Sequence, residues 1–144
     1  MNIFFLLKPK ALVSYIYDDN SIRQALEKLR AHKFTAIPVI KKDGTYVGTV
    51  SEGDFLWHIV DKNKYDGIKS EEEYLVSDLI KNDKNPSVKS DISMDELLLR
   101  VMRQNFVPVI DDRNIFIGIV TRTDVIKYYY DKEQNDKYRD ITNV

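Results

Sequence analysis

Two stretches of this chain are versions of one another. IPVIKKDGTYVGTVSEGDFL, starting at Ile37, and VPVIDDRNIFIGIVTRTDVI, starting at Val107, align without a gap at a spacing of 70 residues. Pro38 meets Pro108, Gly48 meets Gly118, Val50 meets Val120 and Asp54 meets Asp124, while Tyr46 and Ser51 meet Phe116 and Thr121. The likeness continues upstream. Ser21 and Gln24 open a stretch with Ile22, Ala25, Leu26 and Leu29 at helical spacing; Ser93 and Glu96 open another with Met94, Leu97, Leu98 and Val101. Both starts have the form of a capping box. Their spacing is 72, so the second copy has lost two residues between its first helix and Pro108. A unit this small buries its apolar faces poorly alone, so the two copies must stack into one body.

Each copy reads as an extended lead-in, a capped amphipathic helix, and then a short strand over residues 37–40 or 107–110. A turn follows, Asp43-Gly44 in the first copy, typical of a tight hairpin. A second strand covers 46–50 or 115–120. The closing helix carries Phe55, Leu56, Ile59 and Val60, or Val125, Ile126, Tyr129 and Tyr130. A charged stretch over 61–73 joins the copies, and the tail from 131 to 144 either frays or continues the helix.

Composition narrows the function classes. Lys and Arg number 22 against 23 Asp and Glu, so no surplus of positive charge draws in nucleic acid or an anionic membrane surface. The apolar run at residues 3–7 is far shorter than the roughly 20 residues of a membrane span. It has no cleavage-site pattern after it either, so we expect it to pack on the domain of a cytoplasmic protein. There is no cysteine, no Gly-rich phosphate loop and no His pair at metal-ligand spacing. Asp18-Asp19 and Asp111-Asp112 read as turn residues. With no nucleophile beside a base, the chain is expected not to be an enzyme.

The carriers TAIPVI, YVGTVSEGD, FVPVI and FIGIVTRTD resemble the CBS domain family in its tandem form, the stand-alone bacterial Bateman module. The resemblance implies an α+β fold of two pseudo-symmetric repeats, each a small mixed sheet with helices, packed sheet to sheet. It divides the chain into repeat 1 (1–64), a linker (65–74), repeat 2 (75–133) and a C-terminal tail (134–144). It also implies clefts between the repeats that bind AMP, ADP, ATP, S-adenosylmethionine or cyclic di-AMP, with no required cofactor and no metal. A homodimer is implied through the closing helices, which carry Phe55, Trp57, Ile59 and Tyr129, with a protein target reading the ligand-driven change. The alternative is a ligand-free scaffold for dimerisation or protein contact.

The residue chemistry suits an adenosine. A carboxylate accepts from both ribose hydroxyls at once, and Asp54 and Asp124 each lie one turn into a helix. Ser51 and Thr121 stand at the helix starts, where backbone N–H groups favour a phosphate. By resemblance, Thr35, Ala36 and Ile37, before Pro38, contact the base, with Ser51 and Asp54 on ribose and phosphate. Val13, Ser14 and Tyr15 would close its other side. Ser51 and Asp54 also read as a plain helix cap. In the second copy Asn105, Phe106 and Val107 precede Pro108, and the two-residue loss is expected to shorten that strand, leaving the first cleft favoured. Lys33, Arg122, Arg103 and His32 are candidate phosphate partners that read equally as solvated surface groups. Trp57 and His58 read as packing or dimer contacts, and Tyr128, Tyr129 and Tyr130 as a mixture of core and interface.

Overall fold

The computed structural model describes residues 2–32, 35–63, 74–80 and 85–142. A 3-10 turn (Ile3–Phe5) and strand β1 (Lys8–Pro9) open the chain, followed by a second such turn (Lys10–Leu12). The first copy then runs β2 (Ile16–Tyr17), α1 (Ile22–His32), β3 (Ala36–Ile40), β4 (Tyr46–Ser51) and α2 (Glu52–Asn63). After a third turn (Val76–Leu79) the second copy repeats the order: β5 (Val88–Lys89), α3 (Met94–Val101), β6 (Phe106–Ile110), β7 (Phe116–Thr121) and α4 (Arg122–Thr142). The tail thus continues the last helix.

The copies match bond for bond. In one sheet β2 runs parallel to β3, which pairs antiparallel with β4; in the other β5, β6 and β7 do the same. Each hairpin carries a bulge at the equivalent step, leaving Val47 or Ile117 as the extra residue. The first capping box forms in full and the second shows its serine half. The Ser21 N–H donates to Gln24 Oε1 while the Gln24 N–H donates to Ser21 Oγ, and Ser93 Oγ accepts from the Glu96 N–H.

The two-residue deletion falls elsewhere than expected. β6 is as long as β3, five residues each, and Phe106 faces Thr121 as Ala36 faces Ser51. Asn105 and Phe106 therefore occupy the places of Thr35 and Ala36, and the strand is not shortened. The loss is absorbed by α3, which has 8 residues against 11 in α1.

Each copy completes its core with a segment from the other. β1 adds to the second sheet, Lys8 opposite Ile119 and Pro9 opposite Gly118, and Ile3 is buried with Leu97, Val107 and Val120. Conversely, Val76 and Leu79 are buried in the first core with Ile22, Ile37 and Phe55. The Ile22 N–H donates to the Tyr74 carbonyl, and the Val76 N–H to that of Asn20. Within the short N-terminal run only part is covered; Phe4 and Phe5 stay exposed.

The two hairpins meet end to end. The Phe116 N–H donates to the Gly44 carbonyl and the Tyr46 N–H to that of Asn114, at 2.9 and 3.3 Å. The Tyr46 and Phe116 rings stack between them. Gly44 and Asn114 both hold positive φ, the turn geometry that glycine adopts freely and asparagine tolerates.

One expectation about the closing helices fails. Phe55 is only 2% exposed inside its own core and is not available to a partner. Trp57 is largely exposed, whereas Tyr129 packs on the second core.

Two stability measurements follow. Ile3→Ala removes a buried side chain from the opposite copy's core and is expected to cost roughly 2–5 kcal/mol in urea unfolding. A methyl at Gly118 would lie 2.1 Å from the Lys8 carbonyl oxygen, whereas one at Gly48 would meet only the Ile80 side chain, at 3.1 Å. Gly118→Ala should therefore destabilise by about 1–3 kcal/mol and more than Gly48→Ala; equal losses would show that β1 is not seated there.

Candidate functional site

The seam between the copies opens into a cleft of about 370 Å³, within the range of small-molecule sites. One wall comes from the first copy, with Val13 and Ser14 of the lead-in beside Ala36 and Pro38 of β3. Successive side chains alternate across a strand, so Ala36 and Pro38 share a face while Ile37 points into the core, 1% exposed. The other wall comes from the second copy, where Ile119 and Thr121 of β7 share a face by the same alternation, with Asn105, Phe106 and Thr123 beside them. Lys8 and Leu12, carried in by the exchanged N-terminal segment, close one end.

α4 starts against this cleft. Thr121 Oγ1 accepts from the Asp124 N–H at 3.2 Å, capping the helix. The Asp124 carboxylate lies 3.8 Å from the ammonium of Lys8, with the two side chains 34% and 52% exposed. The cleft therefore joins β3 of one copy to the Thr-x-x-Asp turn of the other. Of the first-copy residues expected on base, ribose and phosphate, Ala36 lines this cleft, whereas Thr35, Ile37, Ser51 and Asp54 are not among its lining residues.

Asp54 has a different environment. Its Oδ2 accepts from the Ser51 N–H at 2.8 Å and from the Ser51 hydroxyl at 3.1 Å, and the Asp54 N–H donates back to Ser51 Oγ. These bonds cap α2, an arrangement compatible with ligand contact by the same residues.

At the mirror position the second copy places Phe106 where the first has Ala36. Asn85 holds the place of Val13, its Nδ2 donating to the Phe106 carbonyl at 2.9 Å. The Asn85 carbonyl accepts from the Tyr46 hydroxyl at 2.7 Å, and Gln104 Nε2 donates to the Pro86 carbonyl. Groups on the lead-in and strand of this side are engaged with each other.

The remaining expected residues are placed as follows. Val107 is fully buried core. The Thr35 carbonyl accepts from the Glu52 N–H, tying β3 to the start of α2. The Tyr15 ring packs edge-on against Tyr17 and Phe116, with the ammonium groups of Lys10 and Lys28 over it. Lys28 also donates to the Tyr15 carbonyl, and burial lowers its pKa from the ordinary lysine value. Arg122 Nε donates to the Val101 carbonyl at 2.6 Å, so it anchors α4 to the end of α3. His32 and Arg103 are exposed at the ends of α1 and α3. The His58 ring lies edge-on against Tyr74, a packing contact. Lys33 and most of the expected linker lie outside the described residues. Sequence reasoning missed Lys8, Leu12, Ile119 and Thr123. Strand alternation around Thr121 could have found Ile119; nothing local to Lys8 or Leu12 marks them.

A family model for the CBS domain matches residues 11–61 and 76–131. A CBS domain-containing protein of Dictyostelium discoideum is 28% identical, over 75% of this chain and 78% of its own length. Among solved structures, CbpB in complex with c-di-AMP superposes with a TM-score of 0.82 at 24% identity, covering 99% of this chain and 90% of that one. CBSX2 in complex with AMP gives 0.73 at 26% identity, covering 92% and 98%. Both copies having been matched over most of the chain, this protein belongs to the CBS domain family and carries the domain twice in tandem.

Proposed function

We propose that the chain is a non-catalytic regulatory module that binds an adenine nucleotide in the cleft between its repeats. The observation that carries this reading is the meeting of Ala36 and Pro38 with Thr121 across the seam, Asp124 being tied to Thr121 at the start of α4. The small, partly apolar wall of β3 accepts the face of a base. Asp124 accepts from the ribose hydroxyls, and the positive end of the α4 dipole favours a phosphate. The structures of CbpB with c-di-AMP and of CBSX2 with AMP support an adenosine ligand. A ligand in this position touches both copies, so it favours whichever arrangement of the two binds it better, and only by that difference in affinity. A cytoplasmic homodimer meeting through the outer helices, where Leu56, Trp57, Ile126 and Tyr130 are exposed, would pass the change to a protein target.

A second reading has one observation in its favour. On the mirror side the Asn85 and Gln104 hydrogen bonds engage the lead-in and strand with each other, which is packing rather than a receptor, and the Phe106 they hold also lines the cleft itself. A scaffold whose clefts bind nothing would extend that condition to both sides.

A thermal-shift panel of AMP, ADP, ATP, S-adenosylmethionine and cyclic di-AMP separates the two. A ligand at 100 times its dissociation constant stabilises the fold by about 2.7 kcal/mol, and no shift with any of them would favour the scaffold. For the ligand that binds, Asp124→Ala is expected to weaken affinity ten- to 150-fold, about 1.5–3 kcal/mol. Asp54→Ala should instead lower stability by roughly 0.5–2 kcal/mol through the lost cap, with affinity nearly unchanged. The reverse pattern in calorimetric titrations would move the site to the mirror side.

A further inference from the structure

We infer that Lys8 is the residue by which the cleft selects a phosphorylated ligand over a bare nucleoside. This deepens the adenine-nucleotide reading and rests on it.

Lys8 reaches the cleft only because β1 crosses to the second copy. Its backbone is held opposite Ile119, one step along the same face from Thr121, and its carbonyl is pressed against Gly118. Among the described residues that line the cleft, Lys8 is the charged one. Two neighbouring cations are engaged with Tyr15: the Lys10 ammonium lies over its ring, and Lys28 donates to its carbonyl.

The contact of Lys8 with Asp124 is of a kind that gives way. At 3.8 Å it is longer than a hydrogen bond, and both side chains are partly solvated. Such an exposed pair contributes little to stability. The four-carbon stem lets the ammonium swing while its backbone stays in the sheet. Charge balance then sets the order of events. A phosphate brought near the Asp124 carboxylate is repelled unless a cation stands between them. Ribose hydroxyls that take the Asp124 oxygens weaken its hold on Lys8, and the ammonium has the phosphate as its new partner. A nucleoside displaces Lys8 from Asp124 and offers no anion in return. A nucleotide does both.

The test is calorimetric titration of the full chain with AMP, ATP, cyclic di-AMP and adenosine, in wild type, Lys8→Met and Lys8→Arg. In wild type the tightest nucleotide is expected to bind about ten- to a hundredfold better than adenosine, the range of one charge-assisted contact. Lys8→Met should bring that ratio within about threefold by weakening the nucleotide alone, with adenosine unchanged or slightly tighter because Asp124 is released. Lys8→Arg should keep most of the ratio. A Lys8→Met protein that preserves the wild-type ratio, or that loses both ligands equally, overturns the inference and leaves the nucleotide reading standing. Wild type binding none of the four overturns the reading itself. Thermal melts of both variants establish that each is folded, as expected for a half-exposed side chain whose strand contacts are made by backbone.

Discussion

Two backbone hydrogen bonds hold the hairpin of one copy against that of the other, Phe116 to Gly44 and Tyr46 to Asn114. Exchanging the copies turns one bond into the other, so the pseudo-twofold axis passes between them and between the stacked Tyr46 and Phe116 rings. Once these turns are joined, the direction of each sheet relative to its twin is set. The Ala36–Pro38 face of β3 then meets the β7 end of the other copy across the seam. The positive φ of Gly44 and Asn114 is what allows the turns to present carbonyls to each other. The cleft is a consequence of that meeting.

Around this axis the exchanged segments do the rest. Burial of Ile3 on the second core and of Val76 and Leu79 on the first replaces solvent contacts that each sheet would otherwise retain. β1 does more than cover apolar surface, since it brings Lys8 to the mouth of the cleft beside Asp124. The same element therefore serves packing and electrostatics.

Most of the local structure was legible from residues alone. The Ser21–Gln24 and Ser93–Glu96 pairs announce their helix starts because capping is a matter of neighbours three positions apart. The 70-residue spacing identifies Pro38 with Pro108 and Ser51 with Thr121 in the same way. What local pattern could not convey was which partners each carboxylate meets. Asp54 and Asp124 occupy matched positions, yet one accepts from its own Ser51 and the other lies beside Lys8. That difference depends on how two distant segments meet. The two-residue deletion misled for a similar reason: spacing reveals a loss, but only packing decides that a helix end absorbs it and a strand edge in a ladder does not.

The crossing of the two lead-ins has a topological consequence. A break of the chain between residues 63 and 74 would not yield two independent halves. The N-terminal piece would still hold β1 in the sheet of the C-terminal piece, and the latter would still hold Val76 and Leu79 in the core of the former. Each fragment would be clasped by the other, so the connecting peptide is not what keeps this molecule whole.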